Sequence, residues 1–234
     1  MTEKWKYYNH ALIPTTEPHE EISFDKSIFK GTKAILARWT SEFDCGKETN
    51  WWYVIKDTPF DISVLKSKRR YEINKGKKNF EVKRINPIEY KCDIYEVQVD
   101  AFSAWPKKYR PIVNKEEFIS SINNWSEAIV FGGFDKETGA MCAYAYLTEY
   151  PGHLEFNVLR AKPSSERRGI NAAMVAGIVE EYNDKLGSDF YINDGSRSIM
   201  HETAFQDYLE KYFGFRKAYC KLHIAYRFLL GGGE

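Results

Sequence analysis

The stretch HLEFNVLRAKPSSERRGINAAM, residues 153–174, decides how the rest of the chain is read. Its first third alternates as a strand does, with Glu155, Asn157 and Leu159 falling on one face. Its last third opens a run in which Ile170, Met174, Ile178 and Tyr182 recur every four residues, the spacing of an apolar helix face. The turn between them, SSERRGIN, is basic and carries one glycine. At a helix start several backbone N–H groups lack intrahelical partners, and the helix dipole favours an anion there. Arg167 and Arg168 would add charged donors, and Gly169 would let the backbone approach a phosphate. The same residues also suit an ordinary solvated strand-to-helix turn.

Outward from this stretch, EAIVFGGFD, the turn KETG and AMCAYAYLTEY read as a hairpin, and Pro151-Gly152 leads into the strand at 153, giving three consecutive strands. Before them, PIEYKCDIYEVQVDAF and KEEFISSINNW have helical spacing. After them come the strand DFYIN, a helix with the stripe Ala204, Phe205, Tyr208, Leu209 and Tyr212, and the strand-like AYCKLHIAYRF. In the N-terminal part, residues 1–30 read as an extended arm, and TKAILARWT and NWWYVIKD as strands able to pair as a hairpin. SVLKSKRRYEINKGKKN reads as a basic helix capped at Ser63 and ending near Gly76, and FEVKRI as a strand.

Composition narrows the function. Lys plus Arg number 34 against 33 Asp plus Glu, so no global field draws nucleic acid or an anionic membrane, and electrostatic recognition has to be local. Aromatic residues make up 16%, which favours a packed globule over a disordered chain. Cys45, Cys92, Cys142 and Cys220 show no metal-ligand spacing and read as reduced core residues. No stretch reaches the roughly 18 apolar residues of a membrane span, and the first residues lack a signal-peptide core, so the expected location is cytoplasmic.

The sequence AKPSSERRGINAAM after a strand resembles the VxPxxRGxGIGxxL region of the GNAT acyltransferase superfamily. Ala161 stands at its valine, Pro163 at its proline and Gly169 at its most characteristic glycine, while Glu166 and Asn171 depart from it. AFQDYLEKYFGFRKA resembles the later NxxAxxxYxxxGF region, with His201 at the Asn position and Gly214-Phe215 about two residues late. The span from YINDGSRS through FGFRKA is also similar to FemAB-like branches.

The resemblance implies an α/β (α+β) fold: a mixed, mostly antiparallel sheet flanked by helices over residues 87–230, an N-terminal αβ extension over 1–86, and a tail at 231–234. It implies that the amides of Arg167, Arg168, Gly169, Ile170 and Asn171 line the pyrophosphate of coenzyme A. Leu159, Arg160, Ala161 and Lys162 would pair with the pantetheine arm, in a gap where this strand splays from DFYIN. Glu155 would take the amine's proton, with Asn157 beside it. Tyr208, or Tyr212, would protonate the departing thiolate, and His153, His201 and Asp194 are further candidates at the reacting or acceptor side. Lys107, Lys108 and Arg110 border the expected acceptor site and suggest an anionic or sugar-linked acceptor.

The expected activity is therefore transfer of an acyl group, expected to be acetyl, from acetyl-CoA or another acyl-CoA to a small-molecule amine, with no metal. Two alternatives stand beside it. One is a FemAB-like transferase using aminoacyl-tRNA and a peptidoglycan-type acceptor. The other is a non-catalytic module binding a ligand, or RNA through residues 63–79, where Tyr71 could stack on a base.

Overall fold

The computed structural model describes residues 4–197 and 204–227. In chain order its elements are β1 (Trp5–Tyr8), β2 (Ala11–Pro14), β3 (Leu36–Ser41), β4 (Trp51–Lys56), α1 (Ser67–Asn79), β5 (Phe80–Arg84), α2 (Lys91–Ser103) and α3 (Lys115–Ile122). There follow β6 (Ile129–Asp135), β7 (Met141–Tyr150), β8 (His153–Ala161), α4 (Pro163–Glu166), α5 (Ile170–Glu181), β9 (Tyr191–Ser196), α6 (Ala204–Phe213) and β10 (Arg216–Tyr226). By packing, the chain forms two compact units: the described residues of Met1–Val54, Ser196–Glu202 and Arg216–Glu234, and those of Ile55–Gly195 and Thr203–Phe215.

In the first unit β1 and β2 form a tight hairpin whose turn residues, Asn9 and His10, both have positive φ. Two left-handed residues in succession are the requirement of a hairpin turn that follows strand twist, and Asn tolerates that conformation better than most side chains. The expected extended arm is thus partly sheet. β2 lies parallel to β3 and β10 antiparallel to its other edge, so the expected pairing of β3 with the strand that follows it is not made. Trp5, Leu12, Phe29 and Ala37 form this unit's apolar core.

In the second unit the strand order is β9-β8-β7-β6-β5, antiparallel except for β8 with β9. On one face α2 and α3 bury Ile94, Val97 and Ile122 against Val130, Tyr144 and Met141. On the other face α5 lies so close that a Cβ at Gly133 would come within 2.6 Å of Met174 Sδ, and one at Gly177 within 2.8 Å of Val82. This accounts for the glycines in VFGGFD and AAMVAGI: small residues let helix and sheet backbones approach. α5 is buried nearly all round because α1 covers its other side, which its run of alanines permits. The helix α1 starts at Ser67, after a short turn capped by Asp61, and runs through Gly76 to Asn79. Gly76 is therefore an interhelical contact and not a stop. Of the cysteines, Cys142 and Cys220 are buried as core residues, whereas Cys92 is exposed and Cys45 partly so, since they fall on a helix surface and a turn.

Candidate active site

β8 is paired with β7 along its length, but with β9 only at His153↔Tyr191, Leu154↔Ile192 and Glu155↔Asn193. From Phe156 to Ala161 its second edge has no strand beside it among the described residues. The β7 register places Phe156 opposite Leu147 and Val158 opposite Tyr146, so Asn157 is an extra residue, a bulge. The bulge shifts the alternation expected from the sequence. Glu155 now shares a face with Val158, on the side of α2 and α3, and Leu159 turns to the other side. Asn157 is exposed and accepts a bond from Thr148 Oγ1 (3.0 Å).

Glu155 stands at the last paired position, where the two strands part. Asn193 Nδ2 donates to its Oε2 (2.7 Å), and His153 Nε2 lies 3.3 Å from the same oxygen. Asn193 and His153 are each only 1% exposed. His153 is held between the rings of Tyr150 and Tyr191, at centroid distances of 4.9 and 5.2 Å. The carboxylate is thus fixed from behind by two buried side chains while remaining partly open to solvent. Asp194, the next residue along β9, is hydrogen-bonded by Gln206 of α6, and burial together with the nearby Glu155 raises its pKa from 3.8 to about 7. A fixed carboxylate and a second carboxyl raised to about 7 are groups able to exchange protons near neutral pH.

Lys162 N–H donates to Cys142 O (2.8 Å), so the peptide groups of residues 160 and 162 face β7 and those of Leu159 and Ala161 face the open edge. Arg160 lies over the Phe102 ring, and its Nη1 donates to Leu159 O (3.0 Å). Lys162 Nζ lies 3.9 Å from Asp100.

The turn that follows is more occupied than its sequence suggests. α4 tightens it, so that Arg168 N–H donates to Ser165 O (3.1 Å) and Gly169 N–H to Glu166 O (2.9 Å). The Arg168 side chain is bonded to Asp135 and lies 3.6 Å from Glu137, and Asn79 Nδ2 donates to Arg168 O (2.9 Å). Gly169 has φ +93°, a conformation that favours glycine, and a Cβ there would come within 2.9 Å of Gly76 Cα. The room left by this glycine is filled by α1. Ile170 and Asn171 open α5, and Gly169 offers them no side-chain cap. Arg167 is exposed.

On α6, burial pushes the Tyr208 phenol up, and its ring packs on Phe205, Tyr212 and Phe213. Phe205 in turn meets Phe156, so the tyrosine pair connects to β8 through a chain of rings, while Arg69 of α1 lies over Tyr212. His201 lies outside the described residues. Lys107, Lys108 and Arg110 are on the exposed loop between α2 and α3, where Arg110 Nη2 donates to the carbonyls of Ser103 and Trp105. Sequence reasoning omitted Asn193, whose signal was only its place in YIND, and Gln206. Among the described residues no group of three or more His, Cys, Asp or Glu side chains is placed to hold a metal ion, and no helix is long and apolar enough to cross a membrane.

The mixed sheet, the helices on both its faces and the parting of β8 from β9 define a GNAT-like fold. Within that class the chain is similar in structure to L-PGS from Bacillus licheniformis, at a TM-score of 0.54 and 13% identity over 95% of this chain and 79% of that one. It is similar also to the C-terminal domain of a putative lysylphosphatidylglycerol synthetase from Agrobacterium fabrum (TM-score 0.55, 10% identity, covering 92% and 78%) and to FemX (0.52, 10%, 82% and 72%). No protein-family profile and no curated protein matches the sequence.

Proposed function

We propose that the chain is an acyltransferase that joins an acyl group to an amine at the fork between β8 and β9. The observation that carries this reading is the parting of the strands at Glu155↔Asn193, which puts a fixed carboxylate beside a strand edge open to an extended ligand. Glu155 takes the proton of the attacking ammonium, the amine nitrogen bonds the acyl carbon, and the bond from that carbon to its sulfur or oxygen leaving group breaks. Tyr208 or Tyr212 gives a proton to the leaving group and is restored by the second proton that the nitrogen sheds as the amide forms. For a coenzyme A thioester, acetyl-CoA in the simplest case, the amides of the pantetheine arm extend along Leu159 and Ala161 as an added strand. The amides of Ile170 and Asn171, with Arg167, meet its pyrophosphate.

A second donor, the aminoacyl-tRNA implied by the FemAB resemblance, is favoured by a separate observation. Arg168 is bound to Asp135, and the flank of Gly169 is covered by α1, so the turn has few donors left for a pyrophosphate. The likeness to FemX and to a putative lysylphosphatidylglycerol synthetase, whose name states a lysyl-bearing product, is in keeping with it. Thermal melting of the full chain with acetyl-CoA and with charged tRNA separates the two, followed by product analysis over a panel of amines. A rise in Tm with one donor and an acylated product identifies it. Neither a shift nor a product would leave the non-catalytic module as the correct reading.

A further inference from the structure

The loop SAWPKKYRPIVNK, residues 103–115, turns its apolar side chains outward: Ile112 is 100% exposed, Tyr109 65% and Trp105 43%. Single exposed apolar residues are ordinary, but three on one loop, beside the exposed Val99 of α2, are not. The exposure is built. Arg110 clamps the loop through the carbonyls of Ser103 and Trp105, residues 107–109 form a single helical turn, and Trp105 meets Phe102 edge-on at 5.1 Å. Behind the loop is a cavity of about 170 Å³ lined mainly by Tyr95, Val99, Phe102, Pro111 and Val113.

Charge gives the second half of the argument. Residues 103–115 hold Lys107, Lys108, Arg110 and Lys115 and no carboxylate. Lys108 Nζ lies 5.2 Å from the centre of the Tyr109 ring, so cation and aromatic ring are presented together. Of the flanking acids, Asp100 faces Lys162, and Glu116 and Glu117 lie in the first turn of α3, where the helix dipole favours them. Aromatic and aliphatic tips beside lysines form the combination that enters a bilayer interface while meeting lipid phosphates. A polyanion without apolar depth would have no use for the fully exposed Ile112.

We propose that this loop docks the protein on an anionic lipid surface, with Trp105, Tyr109 and Ile112 entering the interface and Lys107 and Lys108 binding headgroup phosphates. Docking uses no residue of the fork and stands whether or not the chain transfers an acyl group. The test is cosedimentation of the full chain with vesicles of phosphatidylcholine, with and without phosphatidylglycerol, over a range of salt. The expected result is binding that requires phosphatidylglycerol and weakens as salt rises. The double variant Trp105→Ala/Ile112→Ser should lose about tenfold or more in affinity, and Lys107→Gln/Lys108→Gln about tenfold with a flatter salt dependence. Both should keep the parent melting temperature. The α1 variant Lys68→Gln/Tyr71→Ala should bind as the parent does. The proposal is overturned by absence of binding, by unchanged binding of both loop variants, or by loss of binding confined to the α1 variant. It is overturned also if RNA is retained through the loop and vesicles are not.

Discussion

The two halves of β8 differ in one property. From His153 to Glu155 the strand is bonded on both sides, and the His153 ring is packed between two tyrosines; from Phe156 to Ala161 it is bonded on one side. An unpaired edge invites uncontrolled pairing and is usually blunted. Here a bulge at Asn157 breaks its regularity, and Arg160 covers the Leu159 carbonyl. The closed half supplies rigidity and the open half supplies access, and Glu155 belongs to the closed half at its boundary. A carboxylate placed one residue further on would lose the bond from Asn193 that aims it.

The largest effect should come from breaking the boundary residue itself. Glu155→Gln keeps the size of the side chain and its capacity to hydrogen-bond but cannot take a proton, so kcat should fall about 10²- to 10³-fold while donor affinity, read as the Tm shift, is retained. Asn193→Ala should fall between the variant and the parent, since it frees the carboxylate without removing it. Turnover measured for the three proteins at one pH checks the order, and a Glu155→Gln enzyme at parental rate sinks the base assignment.

Next in size is the contact that fixes the far end of the open half. A Cβ at Gly76 would stand 2.4 Å from Gly169 O, and the backbone on both sides has no flexible tip to yield. Gly76→Val should cost about 2–3 kcal/mol, visible as a lower urea midpoint. Gly177→Ala, which presses on Val82, makes the comparison sharper. It disturbs α5 away from the turn, so it should lower stability without weakening the donor-induced Tm shift, whereas Gly76→Val should weaken both.

The element order of the second unit was legible because each segment repeats one period: 153–161 alternates, 170–182 recurs every four residues, and the pairs at KETG and Pro151-Gly152 mark turns. What remained hidden depends on contacts between distant segments. The bulge at Asn157 is set by the register against β7, and no local residue announces it, so the side on which Leu159 falls was misread. Gly76 in NKGKK looks like a helix stop, and only the approach of α5 shows why glycine is needed inside α1. Arg168 reads as a phosphate ligand in the sequence, but its side chain is bonded to Asp135, 33 residues earlier. The hairpin expected between β3 and β4 failed for the same reason, because β10 arrives from the far end of the chain.

The smallest effect concerns Asp194, which lies one residue beyond the last paired position of β9. Its carboxyl has a pKa of about 7 in the folded chain against 3.8 as its ordinary value, chiefly through burial. Between about pH 4 and 7 the folded state therefore holds a proton that the unfolded state has released, and stability falls as pH rises through that window. Above it the loss is complete. Asp194→Asn removes this titration, so the variant should be more stable than the parent at pH 8 by about 1–3 kcal/mol and nearly equal to it at pH 4, read from urea midpoints at the two pH values. The same variant tests whether the open side of the fork takes part in proton transfer. If Asp194 exchanges a proton with the reacting groups, a limb of the rate profile near pH 7 should vanish in Asp194→Asn and persist in Asn193→Ala. A limb unchanged in both variants would assign that titration to another group and leave Asp194 a half-buried acid that costs stability without serving the reaction.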